Sequence, residues 1–454
     1  MNYTVKLDNI RVANIKNVLS GRIKVRSKKR DGCDIIGIYG QNGTGKTAVI
    51  DCVEMIQELF MGRGLQEKRY YDCLYVNTSA STVAVGFFVE AGGKQYDAVY
   101  EAELKFTENG QDFFLSHESL KITGRGEGAY RTTLCCDFSD VDAIVSPQRF
   151  LSGLACGDRK TRMKLYARKL LARERKASFF FDDTVTELLK SGEPSDAGAV
   201  ICALKQYANM DLFVIKNSHS GIISLNELIP LSFKIEEGAT RIVKGEAGIR
   251  LDQPTLFPMI GYKDVSVLID QLNVVLKSIV PDLRIELKEY GEQADDKGQP
   301  CMRFEPLAVS NGISLPLRNE SEGIKKIISI LSAIISFYNR ENTTVLIDEF
   351  DAGIFEYLLG ELLSVLQENG RGQLIFTSHN LRPLEVLDKT SIYFTSCNPN
   401  NRYIQLTNVK PNSNLRDFYY RTIELGGQKE KLYDETNLSE LSLVLRIAGG
   451  KNRS

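Results

Sequence analysis

Eight consecutive residues, Gly40-Gln41-Asn42-Gly43-Thr44-Gly45-Lys46-Thr47, fit the pattern GxxxxGK[ST] in full. The chemistry open to such a stretch is phosphate binding. Glycines let main-chain N–H groups turn inward around phosphate oxygens, and a helix that follows adds the positive end of its dipole. Gly40, Asn42, Gly43, Thr44 and Gly45 would form that cradle. Lys46 is expected to reach the β- and γ-phosphates as a point charge, and Thr47 to offer its hydroxyl to Mg²⁺. Much further along, Val345-Leu346-Ile347-Asp348-Glu349 ends an apolar run in two carboxylates. Adjacent carboxylates at a strand end are costly unless a metal or a water uses them. Asp348 is therefore expected to hold Mg²⁺ and Glu349 to act as general base towards a water. The expected cofactors are ATP and Mg²⁺; no NKxD follows the loop, which favours adenine over guanine.

These groups need elements to carry them. Asp34 to Tyr39 (DIIGIY) reads as a buried central strand leading into the glycine turn, and Lys46 to Phe60 as a helix with Val49, Ile50, Val53, Ile56 and Leu59 on one side. After Glu322 the pattern alternates between helix and strand: IKKIISILSAIISFY, TTVLI, FEYLLGELLSVLQEN, QLIFTS, then a hairpin-like pair around Asn398 to Asn401. Residues 1–30 read as strands by their period-two alternation, and the alternating strands of about residues 79–123, with their AGG and ENG turns, predict an antiparallel β subdomain. Residues 150–310 carry mixed helices and loops without sustained heptads, which predicts an inserted, mostly helical module rather than a coiled-coil arm. The divisions expected are 1–149, 150–310, 311–410 and a helical tail 411–454.

Composition narrows the class. In 454 residues, 57 Lys and Arg nearly cancel 58 Asp and Glu, so no chain-wide field draws in DNA or an anionic membrane. Nine cysteines without a CxxC pair read as reduced thiols, and three histidines are too few for a multi-His metal centre. The N-terminus lacks the pattern of a signal or transit peptide, and no stretch is apolar for long enough to span a bilayer. A soluble, cytoplasmic protein without a membrane partner is expected.

The pair GQNGTGKT and VLIDEFDAG, far apart with a module between them, resembles the ABC-type ATPase heads of the SMC and RecF group, and most closely the compact AAA15/OLD-like ATPases of bacterial anti-phage operons. The resemblance covers about residues 1–150 and 310–410. It implies an α/β fold: an ABC-type P-loop NTPase head with a mixed central sheet flanked by helices, an antiparallel β subdomain and an inserted α-rich module. It further implies that Ser321 and Gly323, ahead of a helix, form a degenerate signature touching the γ-phosphate held by another subunit. His379, closing QLIFTS, becomes the switch histidine and a third candidate catalytic residue beside Lys46 and Glu349. Gln148 in IVSPQRF becomes the Q-loop residue near Mg²⁺. SMC-type sequences carry an Asp where Phe355 stands here, so subunit communication through that position is not implied; Asp351 is a local substitute or a helix-start residue.

Two further features carry weight. Arg159 to Lys176 holds nine basic residues and one acid, a basic amphipathic helix able to track a phosphate backbone or present a solvated face. Asp182-Asp183 and Asp295-Asp296 sit beside turn-forming residues and read as caps or loops. The reading that follows is a Mg²⁺-dependent ATPase that self-associates, at least as a dimer, around ATP and regulates an effector protein encoded nearby. Two alternatives stand beside it. A RecF-like DNA-binding repair ATPase predicts ATP-dependent DNA binding lost on charge reversal at Arg168 and Lys169. A scaffold that binds ATP without hydrolysing it predicts that Glu349→Gln leaves function intact.

Overall fold

A computed structural model of the chain describes residues 3–26, 33–74, 78, 80–126, 130–140, 142–155, 158–237, 241–409, 414–435 and 437–450. Its centre is a six-stranded sheet in the order Tyr403–Ile404, Ile392–Thr395, Asp34–Tyr39, Gln373–Thr377, Thr344–Ile347, Leu212–Ile215. The first pair is antiparallel and every other neighbour is parallel. Parallel strands are covered on both faces, which is why these segments are continuous apolar runs. Their side chains still divide by period two. Ile36, Ile38, Leu346 and Ile375 enter a core with the helix Lys46–Phe60. Ile35, Val345, Ile347, Leu374 and Phe376 enter another with the helices Glu322–Asn339 and Glu356–Asn369.

A second six-stranded sheet, antiparallel throughout, runs Val18–Lys24, Tyr3–Ile15, Ser81–Ala91, Lys94–Phe106, Phe113–Gly124, Arg131–Asp137. It packs on the helix Lys46–Phe60 within the first core. A carboxyl group lies deep inside that core. Glu118 is fully buried and accepts from Tyr100 Oη (2.7 Å), Ser178 Oγ (2.6 Å), Phe179 N (2.7 Å) and Phe180 N (3.3 Å). The chain thus has the fold of an ABC-type P-loop NTPase head: a mixed sheet between helices, with an antiparallel β subdomain. Among the described residues, no helix is long and apolar enough to cross a membrane.

The stretch 150–310 differs from a self-contained helical insertion. It supplies the helices Arg159–Arg175, Asp196–Met210 and Met259–Ile279, but its strand Leu212–Ile215 is the edge of the central sheet, parallel to Thr344–Ile347. It also supplies an antiparallel pair, Leu228–Glu237 with Arg241–Arg250, and most of a small sheet built on Pro300–Ser310. These units and the helix Met259–Ile279 form a third core against Ile328 and Leu331 on the outer side of Glu322–Asn339. Sheet neighbours are set by pairing across long sequence separations, which local periodicity does not register.

Candidate functional site

The glycine turn leaves the strand Asp34–Tyr39 and opens the helix Lys46–Phe60, so the loop lies at the carboxyl end of the parallel strands, where ligands bind in open α/β sheets. Gly40, Gly43 and Gly45 have φ of 150°, 74° and 90°, a region that disfavours any side chain. At Gly40 close packing adds to this: a Cβ would lie 1.8 Å from Thr395 Oγ1. The loop is braced from the sheet edge, through Thr44 and Thr395 hydroxyls 2.5 Å apart and Tyr403 Oη donating to Gly45 O at 2.7 Å. Gln41 is held from the far end of the chain. Its amide donates to Asp434 O (3.3 Å) and accepts from Asp434 N (3.1 Å). The side chains of Asn42 and the open side of Gly43 face solvent.

Lys46 is buried and donates to Gly40 O (2.9 Å) and Gln41 O (3.2 Å), folded back along the loop it serves. Burial pulls its ammonium below the usual lysine range, opposed by Asp348, Glu349 and Asp351. Thr47 Oγ1 donates to Asp348 Oδ1 at 3.3 Å, although 301 positions separate them. Asp348 is buried at the end of Thr344–Ile347. Its Oδ1 also accepts from Thr377 Oγ1 at 2.6 Å, and the same hydroxyl accepts from Glu349 N at 2.8 Å. Glu349 has φ of 50° and is only partly covered, so the acid next to the buried Asp348 stands at the opening. Left-handed backbone is uncommon at a glutamate and persists only where the surrounding bonds hold it.

His379 is exposed in the turn after Gln373–Thr377, and its main-chain N–H donates to Asp351 Oδ2 at 3.1 Å. Ser321 caps the helix Glu322–Asn339, accepting from Ile324 N at 3.3 Å, and is exposed. Gly323 is packed against the loop beyond the acids, where an added Cβ would lie 2.0 Å from Gly353 O. Phe355 is 73% exposed and caps the helix Glu356–Asn369 rather than lying in the core.

Gln148 is exposed at the start of the helix Gln148–Ala155, and its described contacts do not bring it to Thr47 or Asp348. The strand that ends beside Asp348 is Leu212–Ile215, with Asp348 N donating to Ile215 O at 2.9 Å. The next residue, Lys216, binds Asp51 (2.7 Å) and Glu54 (3.0 Å) on the helix of the phosphate loop. Burial works to lower its charge affinity, but the two acids outweigh it and hold its pKa above the usual lysine range. Lys326 was equally unforeseen. It is buried in the helix Glu322–Asn339, its pKa lowered by burial and opposed by Asp348, Glu349 and Asp351. The sequence signal, a Lys-Lys pair inside an apolar helix, is ambiguous without the fold.

The remaining candidates fall away from the site. Asp182 caps the helix Asp183–Ser191 through Thr184 N, and Asp295 closes a turn through Lys297 N and Gln299 N, as caps and loops should. In the basic helix Arg159–Arg175, Lys169 points inward and donates to Asp140 O (2.7 Å) and Ala143 O. Charge reversal there would disturb folding, so it cannot probe DNA contact. The outward cations are Arg159, Lys160, Arg162, Lys164, Arg173 and Arg175.

The pieces fit a metal-bound nucleoside triphosphate. Loop amides and Lys46 suit phosphates, and Thr47 with Asp348 gives two oxygens, as suits a Mg²⁺ that also takes phosphate oxygens and waters. Residues 209–385 match the family model described as "AAA domain, putative AbiEii toxin, Type IV TA system", which takes in less than half of the chain. None of the curated proteins compared matches. Among solved structures the chain is similar to an SMC head bound to the C-winged helix domain of ScpA (12% identity, TM-score 0.42, covering 88% of this chain and 97% of that one). It is also similar to a Pyrococcus furiosus SMC head with an extended coiled coil bound to the C-terminal domain of ScpA (14%, 0.42, 88% and 96%). A Thermotoga maritima SMC head domain gives 13% identity and a TM-score of 0.37, with 88% and 99% covered.

Proposed function

We propose that this chain is a Mg²⁺-dependent ATPase that self-associates around ATP and acts as sensor and regulator of a partner effector in bacterial anti-phage defence. The observation that carries the enzymatic part is the contact between Thr47 and Asp348, which joins the phosphate loop to the paired acids at one strand end. Bound MgATP would supply a γ-phosphate open to attack by water. The loop amides and Lys46 would hold the phosphates, with Lys46 leaving its carbonyl partners to do so. Thr47 and Asp348 would hold the metal, and Glu349 would take the proton from the attacking water. Ser321 and His379 are exposed, and the described bonds of Ser321 stay within its own helix end. That favours their use on nucleotide bound by a second copy. The match of residues 209–385 to a family described with a toxin–antitoxin system supports an effector as partner.

The test is ATP turnover by the purified chain over a range of protein concentration, alone and with the product of its genomic neighbour. Lys46→Ala should lose nucleotide binding and turnover. Glu349→Gln should keep binding, lose turnover and accumulate an ATP-dependent dimer in light scattering. If both variants turned over ATP at the wild-type rate, the site would be misassigned. Full biological function in Glu349→Gln would favour a scaffold that does not hydrolyse.

A further inference from the structure

The segment beyond Asp348 is bonded residue by residue to the end of the strand Gln373–Thr377. Glu349 N donates to Thr377 Oγ1 at 2.8 Å and Phe350 N to Thr377 O at 3.0 Å. Asp351 continues the series in the opposite sense. Its Oδ2 accepts two consecutive amides, His379 N at 3.1 Å and Asn380 N at 2.9 Å. The first two bonds hold the strand end; the Asp351 pair reaches past it, to the turn that carries His379.

Helix initiation does not account for this carboxylate, because the next helix starts at Glu356 with Phe355 as its cap. Nor, among the described residues, is it held by a set of other donors, since Asp351 Oδ1 is buried and none of them hydrogen-bonds to it. Leaving a buried carboxylate oxygen unpaired is costly, so the two charge-assisted bonds to the turn are what the arrangement secures. They fix the peptide planes on either side of His379 and thereby where its exposed imidazole stands. Two residues on, Gly353 O lies against Gly323. One short loop therefore sets both groups assigned to the γ-phosphate, the histidine turn and the start of the Ser321-capped helix.

We propose that Asp351 is a positioning residue for hydrolysis, acting through His379; this rests on the ATPase reading above. Asp351→Ala should lower kcat at least tenfold while the dissociation constant for a fluorescent ATP analogue stays within twofold of wild type. Asp351→Asn keeps an oxygen that accepts both amides and should recover turnover to within threefold. In the His379→Ala background, Asp351→Ala should cost no more than twofold further, because its route of action is already gone. An equal loss in both backgrounds, or wild-type kcat in Asp351→Ala, would overturn the proposal. A readout independent of turnover separates the two readings. Hydrogen exchange of the His379 amide should quicken at least tenfold in Asp351→Ala, and unchanged exchange would count against the clamp. A wild-type chain that bound but never hydrolysed MgATP would count instead against the ATPase reading.

Discussion

The hydroxyl of Thr377 donates to the buried carboxylate of Asp348 at 2.6 Å, and it also accepts the Glu349 amide at 2.8 Å, so one side chain fixes both acids from the neighbouring strand. Thr377→Val keeps the shape and removes both bonds. With Asp348 in the metal-holding role proposed above, turnover should fall roughly 10–100-fold. Stability should drop by about 1–3 kcal/mol for the unpaired amide and carboxylate. Thr377→Ser should restore most of both, measured by steady-state kinetics and denaturant unfolding.

Ser321 and Gly323 make separable contributions at one helix end. Ser321→Ala removes the cap from Ile324 N and should cost about 1 kcal/mol. Gly323→Ala puts a carbon where Gly353 O stands, so the helix end must shift. It should lower the melting temperature more than Ser321→Ala and abolish ATP-dependent self-association in light scattering.

Glu118 gives a pH dependence of known sign. Burial, opposed by its four donors, raises its pKa from 4.5 to about 7. A raised pKa means that the folded chain holds the proton more tightly than the unfolded one. The resulting stabilisation is complete below 4.5 and is lost as pH rises to about 7. Glu118→Gln cannot titrate, and Tyr100 and Ser178 can turn their hydroxyls to accept from its amide. Relative to this variant, wild type should therefore lose stability across that window, by on the order of 3 kcal/mol. Parallel unfolding curves for the two proteins would contradict this.

Charge reversal in the basic helix should split by burial. Lys169→Glu leaves Asp140 O and Ala143 O unpaired beside a buried carboxylate and should destabilise by roughly 3–5 kcal/mol. Arg168→Glu, on a half-exposed side chain 3.9 Å from Asp182, should stay within about 1 kcal/mol. Any test for DNA should therefore reverse Lys160, Lys164, Arg173 and Arg175 and leave Lys169 in place.

Much of this site is legible in the residues because its chemistry is local. The glycines, Lys46 and Thr47 lie in one turn, and Asp348 and Glu349 close a run whose apolar character marks a buried parallel strand. What escapes is set by neighbours across the sheet. Leu212–Ile215 is four residues long, and nothing nearby in sequence says that it ends beside Asp348, so Lys216 could not be placed. Lys326 escapes for a related reason. A lysine in a helix is normally read as solvated, and the approach of Asp348, Glu349 and Asp351 from other segments is not visible in the local pattern.

The pairing of the Gln41 amide with the main chain of Asp434 ties the entrance of the site to the last stretch of polypeptide before the exposed helix Leu438–Gly450. Thermodynamic reciprocity follows from such a tie. If an occupant turns Gln41 away, the terminal stretch loosens by some factor, and whatever lifts that stretch alters the occupant's affinity by the same factor. A protein that grips the stretch around Asp434 would thus sense, without touching it, whether the entrance is filled.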